Sequence, residues 1–514
     1  MRTLEEILAI PEIERKIYYL KKGRKTEQPN AHALYNDWNP NKHEIVIDEE
    51  KYPKIKITTQ PEKRITDPTT GKEYVEPAVR KEVDPNRIAL PIEQDIVNIQ
   101  TAFTVGTEPV LDCQPDESEE SLLSTLKQVF KKNKLKYQNK KVVRAWLAEQ
   151  EVAEYWYVVK DDGFWAKLKR KISGIFGKSK PEYRLKSAIW SPFRGDKLYP
   201  FFNDQGDLVA LSREYKKKDL NDVEITCFMT ITKDMVYQWE LTSSWSDKGS
   251  FAHGFKKMPV IYMYRPEAYC EKIKSLRVRL EKLLSNYADC IDYHFFPILM
   301  LFGNVENFSG EFKNRVVELT GQGANAQYLT WSQVPDTVKF EVETLLSQIY
   351  GLTNTPRISF DSLKGTGNAV SGVTFDYVFM STHLNVENLN ETVGEFMQRR
   401  VNFLVSALGS VNSTLEEASE TIDVDVQMQP YKLEDIKDKI DTAIKAKDGE
   451  IWSQQRAITF VGNVDAVLDE IEASRKSRLR NRRTTLRNRN SFPLLKVPAA
   501  NLKNRTIQSE YLRG

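Results

Sequence analysis

Pro335-Asp336 followed by Glu341-Val342-Glu343 is the arrangement in this chain nearest to metal-dependent phosphodiester cleavage. Carboxylates of that kind hold a divalent cation, and a lysine two residues beyond the second acid positions the water or stabilises charge. Here that position is Glu343. The residues fit a helix N-terminus better. Asp336 stands where a cap belongs, and acids in the first turns complement the helix dipole. KGTGNAVSG (Lys364 to Gly372) is rich in glycine, but no lysine follows where a phosphate-binding loop needs one. His32, His43, His253, His294 and His383 are scattered and read as surface or packing residues. Asp423 and Asp425 alternate with apolar residues and read as the outer face of a strand. The sequence predicts no catalytic centre, no metal site and no cofactor.

Cys113, Cys227, Cys270 and Cys290 are far apart, and no pair is spaced as CxxC. That usage fits a reducing compartment. The opening MRTLEEILAIPEIERKIYYL has no signal-peptide core, and the apolar run Phe295 to Phe302 is too short to span a bilayer. Secretion and membrane spanning are not expected.

The elements that must position any site come from a chain of 514 residues, 40% hydrophobic and 29% charged. That supports real cores in about two to four domains. The 75 basic and 72 acidic residues are unevenly placed. From Arg475 onward there are 12 basic residues and one acidic, leaving 63 and 71 before it. The body is therefore acidic and the tail basic, which argues against a nucleic-acid binder that is basic throughout.

Residues 1 to about 60 carry a short amphipathic helix and a polar stretch, and 61–86 reads as a loop or arm. Ile92, Ile96, Ile99 and Phe103 share one face of a helix over 91–104. Further helices are expected at 122–134 and from Val142. From Ala153 to Leu241 the pattern turns to strands: YWYVV, RLKSAIWSPF, LVALSREY, EITCFMTIT and MVYQWEL. A basic amphipathic insert, Phe164 to Lys180, interrupts them. It could lie on a membrane surface, or pack on this domain or a neighbouring subunit.

One long helix is expected over 266–296, with Tyr269, Ile273, Leu276, Leu280, Leu283, Tyr287 and Ile291 as a near-heptad seam. Lys272, Lys274, Arg277, Arg279, Glu281 and Lys282 flank it. Residues 298–334 read as three short strands, with Gly303, Gly310, Gly321 and Gly323 in turns. A helix follows over 336–351, then the breaker-rich TNTPRISFDSLKGTGNA, then a helix over 371–408. After Glu420 come one strand and helices at 432–447 and 453–484. Long helices with narrow seams need partners, so an oligomer is expected.

The ordered series over residues 86–475 resembles a phage portal protein of the type found in phages with long non-contractile tails. NRIALPIEQDIVNIQTAFTVGTEPV is similar to the family's early segment. IWSPFRGDKLYPFFNDQGDLVALSREY and MTITKDMVYQWEL resemble its wing strands. HGFKKMPVIYMYRPEAYCEKIKSLRVRLEKLLSNYADCID resembles its strand and long helix. GNAVSGVTFDYVFMSTHLNVE and GEIWSQQRAITFVGNVDAVLDEIEASRK resemble its tunnel-side helix and crown.

The resemblance implies an α+β portal fold in a ring, usually of twelve subunits, at one capsid vertex. Its parts would be an N-terminal arm (1–86), an α/β wing (87–265, with the insert 164–180), a stem helix (266–297), a small β clip (298–334) and a second stem helix (335–352). A tunnel loop (353–370), a tunnel-side helix and return strand (371–430), a crown (431–485) and a tail (486–514) would follow. It implies a non-enzymatic channel for double-stranded DNA during packaging and ejection. Partners would be the terminase large subunit, a head-tail adaptor, and the major capsid and scaffold proteins. Location would be the virion, and the host cytoplasm during assembly, without stable membrane association.

Arg357 and Lys364 would touch DNA, with Gly365 and Gly367 letting the loop change shape. A solvated lysine and ordinary turn glycines fit the same residues. Lys313, Arg315, Gln322 and Asn325 would face terminase and adaptor. Arg478, Arg480, Arg482 and Arg483 would meet packaged DNA, or a scaffold, or only solvent. The alternatives are a phage nuclease and a membrane-surface scaffold.

Overall fold

Three arginines with buried side chains, each paired with at least one carboxylate on another element, join the layers of this protein. The structure is a computed structural model that describes residues 2–60, 62–66, 68, 71–160, 183–294, 298–308, 317–329, 335–357, 379–429, 431 and 436–461.

The chain opens with helices α1 (Leu4–Leu8), α2 (Ile13–Lys22), α3 (Ala31–Trp38) and α4 (Glu44–Ile47). Thr3 and Glu6 form a reciprocal cap on α1, and Asn30 caps α3. Residues 55–83 then form a nested β-hairpin rather than a loop. β1 (Ile55–Gln60) pairs antiparallel with β4 (Val79–Val83), and β2 (Lys63–Thr66) with β3 (Glu73–Glu76). The side chains of β2 and β4 are largely exposed, and beyond Ile55 and Ile57 no apolar alternation marks the hairpin in the sequence. Opposite charges face each other instead: Lys56 lies across from Glu82, 3.6 Å away.

Next come α5 (Ile92–Val105), β5 (Val110–Asp112), α6 (Glu120–Asn133) and α7 (Leu135–Glu149). The strands that follow form two sheets. β6 (Glu151–Lys160), β7 (Tyr183–Trp190) and β13 (Val260–Tyr264) make an antiparallel sheet in the order β13-β6-β7. β8 (Lys197–Phe202), β9 (Leu208–Lys218), β10 (Glu224–Thr232), β11 (Met235–Leu241) and β12 (Trp245–Ala252) make a five-stranded antiparallel meander. Pro200 lies in β8, an edge strand, where a missing N–H is tolerated. Lys160 and Tyr183 are cross-strand partners, so the basic insert 164–180 is an excursion from one β-hairpin. The insert itself lies outside the described residues.

The two sheets stack. Ala153, Trp190, Val260 and Tyr262 of the smaller sheet pack on Leu198, Leu211, Met229 and Val236 of the larger. The opposite face of the larger sheet, with Phe201, Ala210, Phe228 and Trp239, is covered by Ile7, Ile17 and Leu20 of the first two helices. This start of the expected arm is thus part of the body. The remaining face of the smaller sheet, with Val152, Trp156, Ile261 and Met263, meets the main helical core. At its centre runs α10 (Met380–Val411), with Val393, Phe396, Val401 and Leu404 buried. The described part of this helix starts at Met380, and 371–378 lie outside the described residues. α11 (Glu416–Thr421) and β16 (Asp425–Gln427), which pairs with β5, follow it. Asp425 is exposed while Val424 is buried, as the alternation requires.

Strand period 2 explains how β6 serves both cores. Ala153 and Tyr155 face the larger sheet, while Val152, Glu154 and Trp156 face the helices. Buried Arg400 of α10 donates to Glu154 Oε2 at 2.6 Å, and Gln138 donates to Glu154 Oε1. On the other face, Arg24 Nη1 donates to Glu151 Oε2 at 2.7 Å and to the Leu198 carbonyl oxygen at 2.6 Å. Tyr262 donates to the same carboxylate oxygen.

The remaining elements are α8 (Lys274–His294), β14 (Ile298–Phe308), β15 (Val317–Leu329) and α9 (Pro335–Leu352). α8 starts at Lys274 rather than at 266. The Arg265 and Tyr269 N–H groups donate to the carbonyls of Gln150 and Leu147, so that stretch is pinned to the end of α7 instead. A second unit is described only over 436–461, as helices α12 (Ile436–Asp448) and α13 (Gln454–Val461) with Trp452 against Phe460. Beyond 461 the expected crown helix and tail lie outside the described residues.

Glu149 is buried at the end of α7 and accepts from the Phe193 N–H at 2.6 Å. Burial pushes its carboxyl up from 4.5 to about 7. The folded state therefore holds the proton more tightly than the unfolded one. This stabilisation is complete below 4.5 and is lost as pH rises through about 7. Glu149→Gln keeps an acceptor for Phe193 and removes the titration. Its stability should decline less than the parent's between about pH 5 and 7.5, by on the order of 2–3 kcal/mol. Denaturant titrations at both pH values check this, and parallel declines would refute it.

Candidate channel and docking site

The apolar seam of α8 is only half of what holds it. Its second buried stripe is polar: Arg277, Glu281 and Ser285, four residues apart, on the face beside Ile273 and Leu280. Arg277 and Glu281 are each 1% exposed, although charges flanking a seam are expected to meet water. Arg277 reaches Glu281 on its own helix at 3.2 Å, Asp37 of α3 at 2.9 Å and Glu93 of α5. His43 places Nδ1 2.7 Å from Glu281 Oε1 and Nε2 2.9 Å from the Asp37 carbonyl oxygen. Burial raises the Glu93 carboxyl to about 7 against the pull of Arg277.

Along this stripe runs an extended segment. The N–H of Leu90 donates to Glu281, that of Ile88 to Ser285 and that of Asn86 to Asp289, at 2.8, 2.9 and 2.8 Å. Two extended residues rise about 6.6 Å and four helical ones about 6.0 Å, so the two repeats match. Further along, the apolar seam becomes open, and Ile291 is exposed.

α9 packs on α8. Arg279 contacts Glu341 at 2.7 Å, and Arg357 contacts Glu343 at 2.7 Å. Two residues apart, these acids point about 200° apart around the helix axis. Each is matched to its own arginine, and they do not converge. Among the described residues no group of His, Cys, Asp and Glu could hold a metal ion. Arg357, expected to touch DNA, is exposed but engaged with Glu343 in this chain, and that pairing lowers the Glu343 pKa.

Between these helices stands a single hairpin, not three short strands. β14 and β15 pair from Ile298↔Leu329 to Phe308↔Val317. Gly321 and Gly323 lie within β15, and Gly303 within β14. The register shifts there: Phe302 faces Asn325 and Asn304 faces Thr320, so Gly321–Ala324 bulge opposite Gly303. Gln322 is therefore on the bulge and Asn325, exposed, beside it. Among the described residues these strands pair only with each other. Lys313 and Arg315 lie outside the described residues, as do Lys364, Gly365, Gly367, Arg478, Arg480, Arg482 and Arg483.

A polar cluster anchors the chain where α9 ends. Gln100 of α5, fully buried, donates to the carbonyl oxygens of Thr353 and Asn354 at 3.1 Å and to Thr355 Oγ1 at 2.9 Å. Tyr269 donates to the Thr353 carbonyl at 2.6 Å. Asn385 of α10 donates to Gln100 Oε1 and to the Tyr269 oxygen, both at 2.9 Å. Thr382 donates to the Asn354 carbonyl. On the return side, Phe379 packs on Phe103 at 5.4 Å. Both flanks of residues 358–378 are thus tied to α5. Only the TNTP turn residues at 353–356 hint at this in the sequence, because the partners come from three distant elements.

Gln100→Ala would strand several buried acceptors, at about 1–3 kcal/mol for each group left without a partner. Hydrogen exchange at 353–357 should quicken selectively, with β9 and β10 unchanged. Uniform quickening across the protein would mean that the cluster does not act locally.

The profile of the family described as phage portal protein, SPP1 Gp6-like, matches residues 72–481. No curated protein matches the chain. Among solved structures, a chain of the virion of a native gene transfer agent particle is similar, at 10% identity and a TM-score of 0.37. The alignment covers 72% of this chain and 89% of that one. The family is structural and non-enzymatic. Because its profile spans residues 72–481, the range that holds α5, both sheets, α8, the hairpin, α9 and α10, this chain belongs to the phage portal protein family, whose members are components of the virion capsid.

Proposed function

We propose that the chain assembles into a ring, of twelve subunits in the virion, that conducts double-stranded DNA through one capsid vertex. The family match over 72–481 carries this reading. In it, α8 and α9 form the stem, the β14–β15 hairpin forms the clip, and residues 353–370 form the tunnel loop. α10 lines the channel roof, and 431–485 form the crown.

Three physical features support the assignment. The body before Arg475 has 63 basic and 71 acidic residues, so a channel built from it would not grip phosphates along its whole length. The hairpin leaves an outer edge on each strand, which a neighbouring subunit's hairpin can satisfy. The cluster around Gln100 ties the tunnel loop's flank to α5 and α10. In the ring, Arg357, Lys364, Gly365 and Gly367 would meet the duplex. Lys313, Arg315, Gln322 and Asn325 would present the clip to the terminase large subunit and then to the adaptor. Arg478, Arg480, Arg482 and Arg483 would face packaged DNA. The major capsid and scaffold proteins would surround the wing, and assembly would take place in the host cytoplasm.

Mass photometry with negative-stain imaging of the purified protein tests this. Rings with a central hole near twelve times the monomer mass, or a narrow spread around it, are expected. A stable monomer or dimer at high concentration would overturn the proposal.

A further inference from the structure

The acidic body conceals a cationic surface. Between Glu120 and Glu149 the chain holds no Asp or Glu, but seven lysines and Arg144. The fold concentrates them at the tight corner where α6 turns into α7, with Lys134 in the left-handed region at φ 53°. Lys127, Lys131, Lys132, Lys134, Lys136 and Lys141 are all exposed. Among the described residues none of the six has a carboxylate partner. Elsewhere the same chain neutralises such runs: Lys216, Lys217 and Lys218 of β9 pair with Glu224, Glu240 and Asp222.

The lysines also frame two hollows. One, of about 580 Å³, is lined by Lys127, Lys131, Lys134 and Lys136, with Glu108 as its one acid. The other, of about 210 Å³, lies across α6 and is lined by Lys132, Arg184 and Lys186. Lysines close a helix C-terminus favourably, which accounts for Lys131 and Lys132 alone. It does not account for Lys127, or for those on the first turns of α7, where the dipole disfavours positive charge.

We propose that this corner is a binding surface for the phosphate backbone of duplex DNA, separate from the channel. The composition selects that ligand. Docking of carboxylates on an acidic protein favours the planar fork of arginine, which holds them bidentately. Here all six are lysines, mobile point charges on long stems. Such groups suit a polyanion held without fixed register, through release of its counterions. The surface goes beyond the ring and channel proposed above, and it is available on any protomer whose wing is folded.

The test uses the purified full-length protein and a labelled random-sequence duplex of about 30 base pairs, titrated from about 50 to 200 mM salt. Each phosphate contact contributes about 0.9 to the slope of log K against log salt. Lys127→Gln/Lys131→Gln/Lys136→Gln should therefore weaken binding and flatten that slope by about 2–3. A variant with Arg478, Arg480, Arg482 and Arg483 changed to Gln measures the tail's share separately. In the unmutated protein, the duplex should also protect Lys127, Lys131 and Lys136 from acetylation by a water-soluble ester, read by mass spectrometry. The proposal is overturned if the triple variant keeps the parental slope, or if those lysines are not protected. It is equally overturned if polyglutamate protects them and the duplex does not. Neither readout requires a ring, so failure here and failure of ring assembly are separate results.

Discussion

Arg277 is the residue on which the rest of the structure leans. A buried guanidinium is tolerated only where carboxylates surround it, because desolvating an unpaired charge costs several kcal/mol. The three acids that surround this one come from α3, α5 and α8 itself. Meeting its electrostatic demand therefore fixes where the N-terminal helices, the first core helix and the projecting helix sit. Arg24 and Arg400 repeat the device on the two faces of β6. Apolar packing supplies most of the stabilisation in such a core, but it is non-directional. The buried arginines have few satisfactory arrangements.

From that body the α8–hairpin–α9 excursion extends, and its chemistry changes with distance. Near the core its contacts are buried and polar. On its solvent-facing side, at the same level, Arg279–Glu341 and Arg357–Glu343 are exposed pairs worth little each in water. Towards the hairpin the apolar positions open to solvent: Leu280 and Ile349 are buried, while Ile291 and Phe340 are exposed. The gradient fits a part whose base belongs to one subunit and whose outer portion is completed by others.

Elements with a clear period were legible in the sequence. α5, α6, α9 and the strands β6, β7, β9, β10 and β11 follow apolar spacing, and the family emerged from their order; β8, KLYPFF, did not enter the strand reading. The elements that escaped have physical reasons in common. β1 to β4 are short and rich in charge, and only Ile55 and Ile57 of β1 alternate with polar residues. β12, WSDKGSFA, is polar and exposed over most of its length. β15 carries two glycines inside a strand, which read as turns until a bulge accommodates them. Arg277 and Glu281 look like solvated flanks because i, i+4 spacing cannot say which side of a helix meets water. The anchoring role of Gln100, and the clustering of cations at the α6–α7 corner, depend on which elements meet in space.

The ladder between residues 86–90 and α8 imposes a rule on chain length. Its bonds run from backbone N–H groups of every second residue, so the count of residues matters alongside the side-chain bonds of Asn86 and Arg87. Removing or adding one residue would turn every amide beyond the change away from its acceptor. At Ile88 and Leu90 such a segment depends on its backbone amides, and along its whole length it resists insertion and deletion. Length variation among portals that share this ladder should fall in the 55–83 hairpin or the 164–180 excursion, with this short stretch left unchanged.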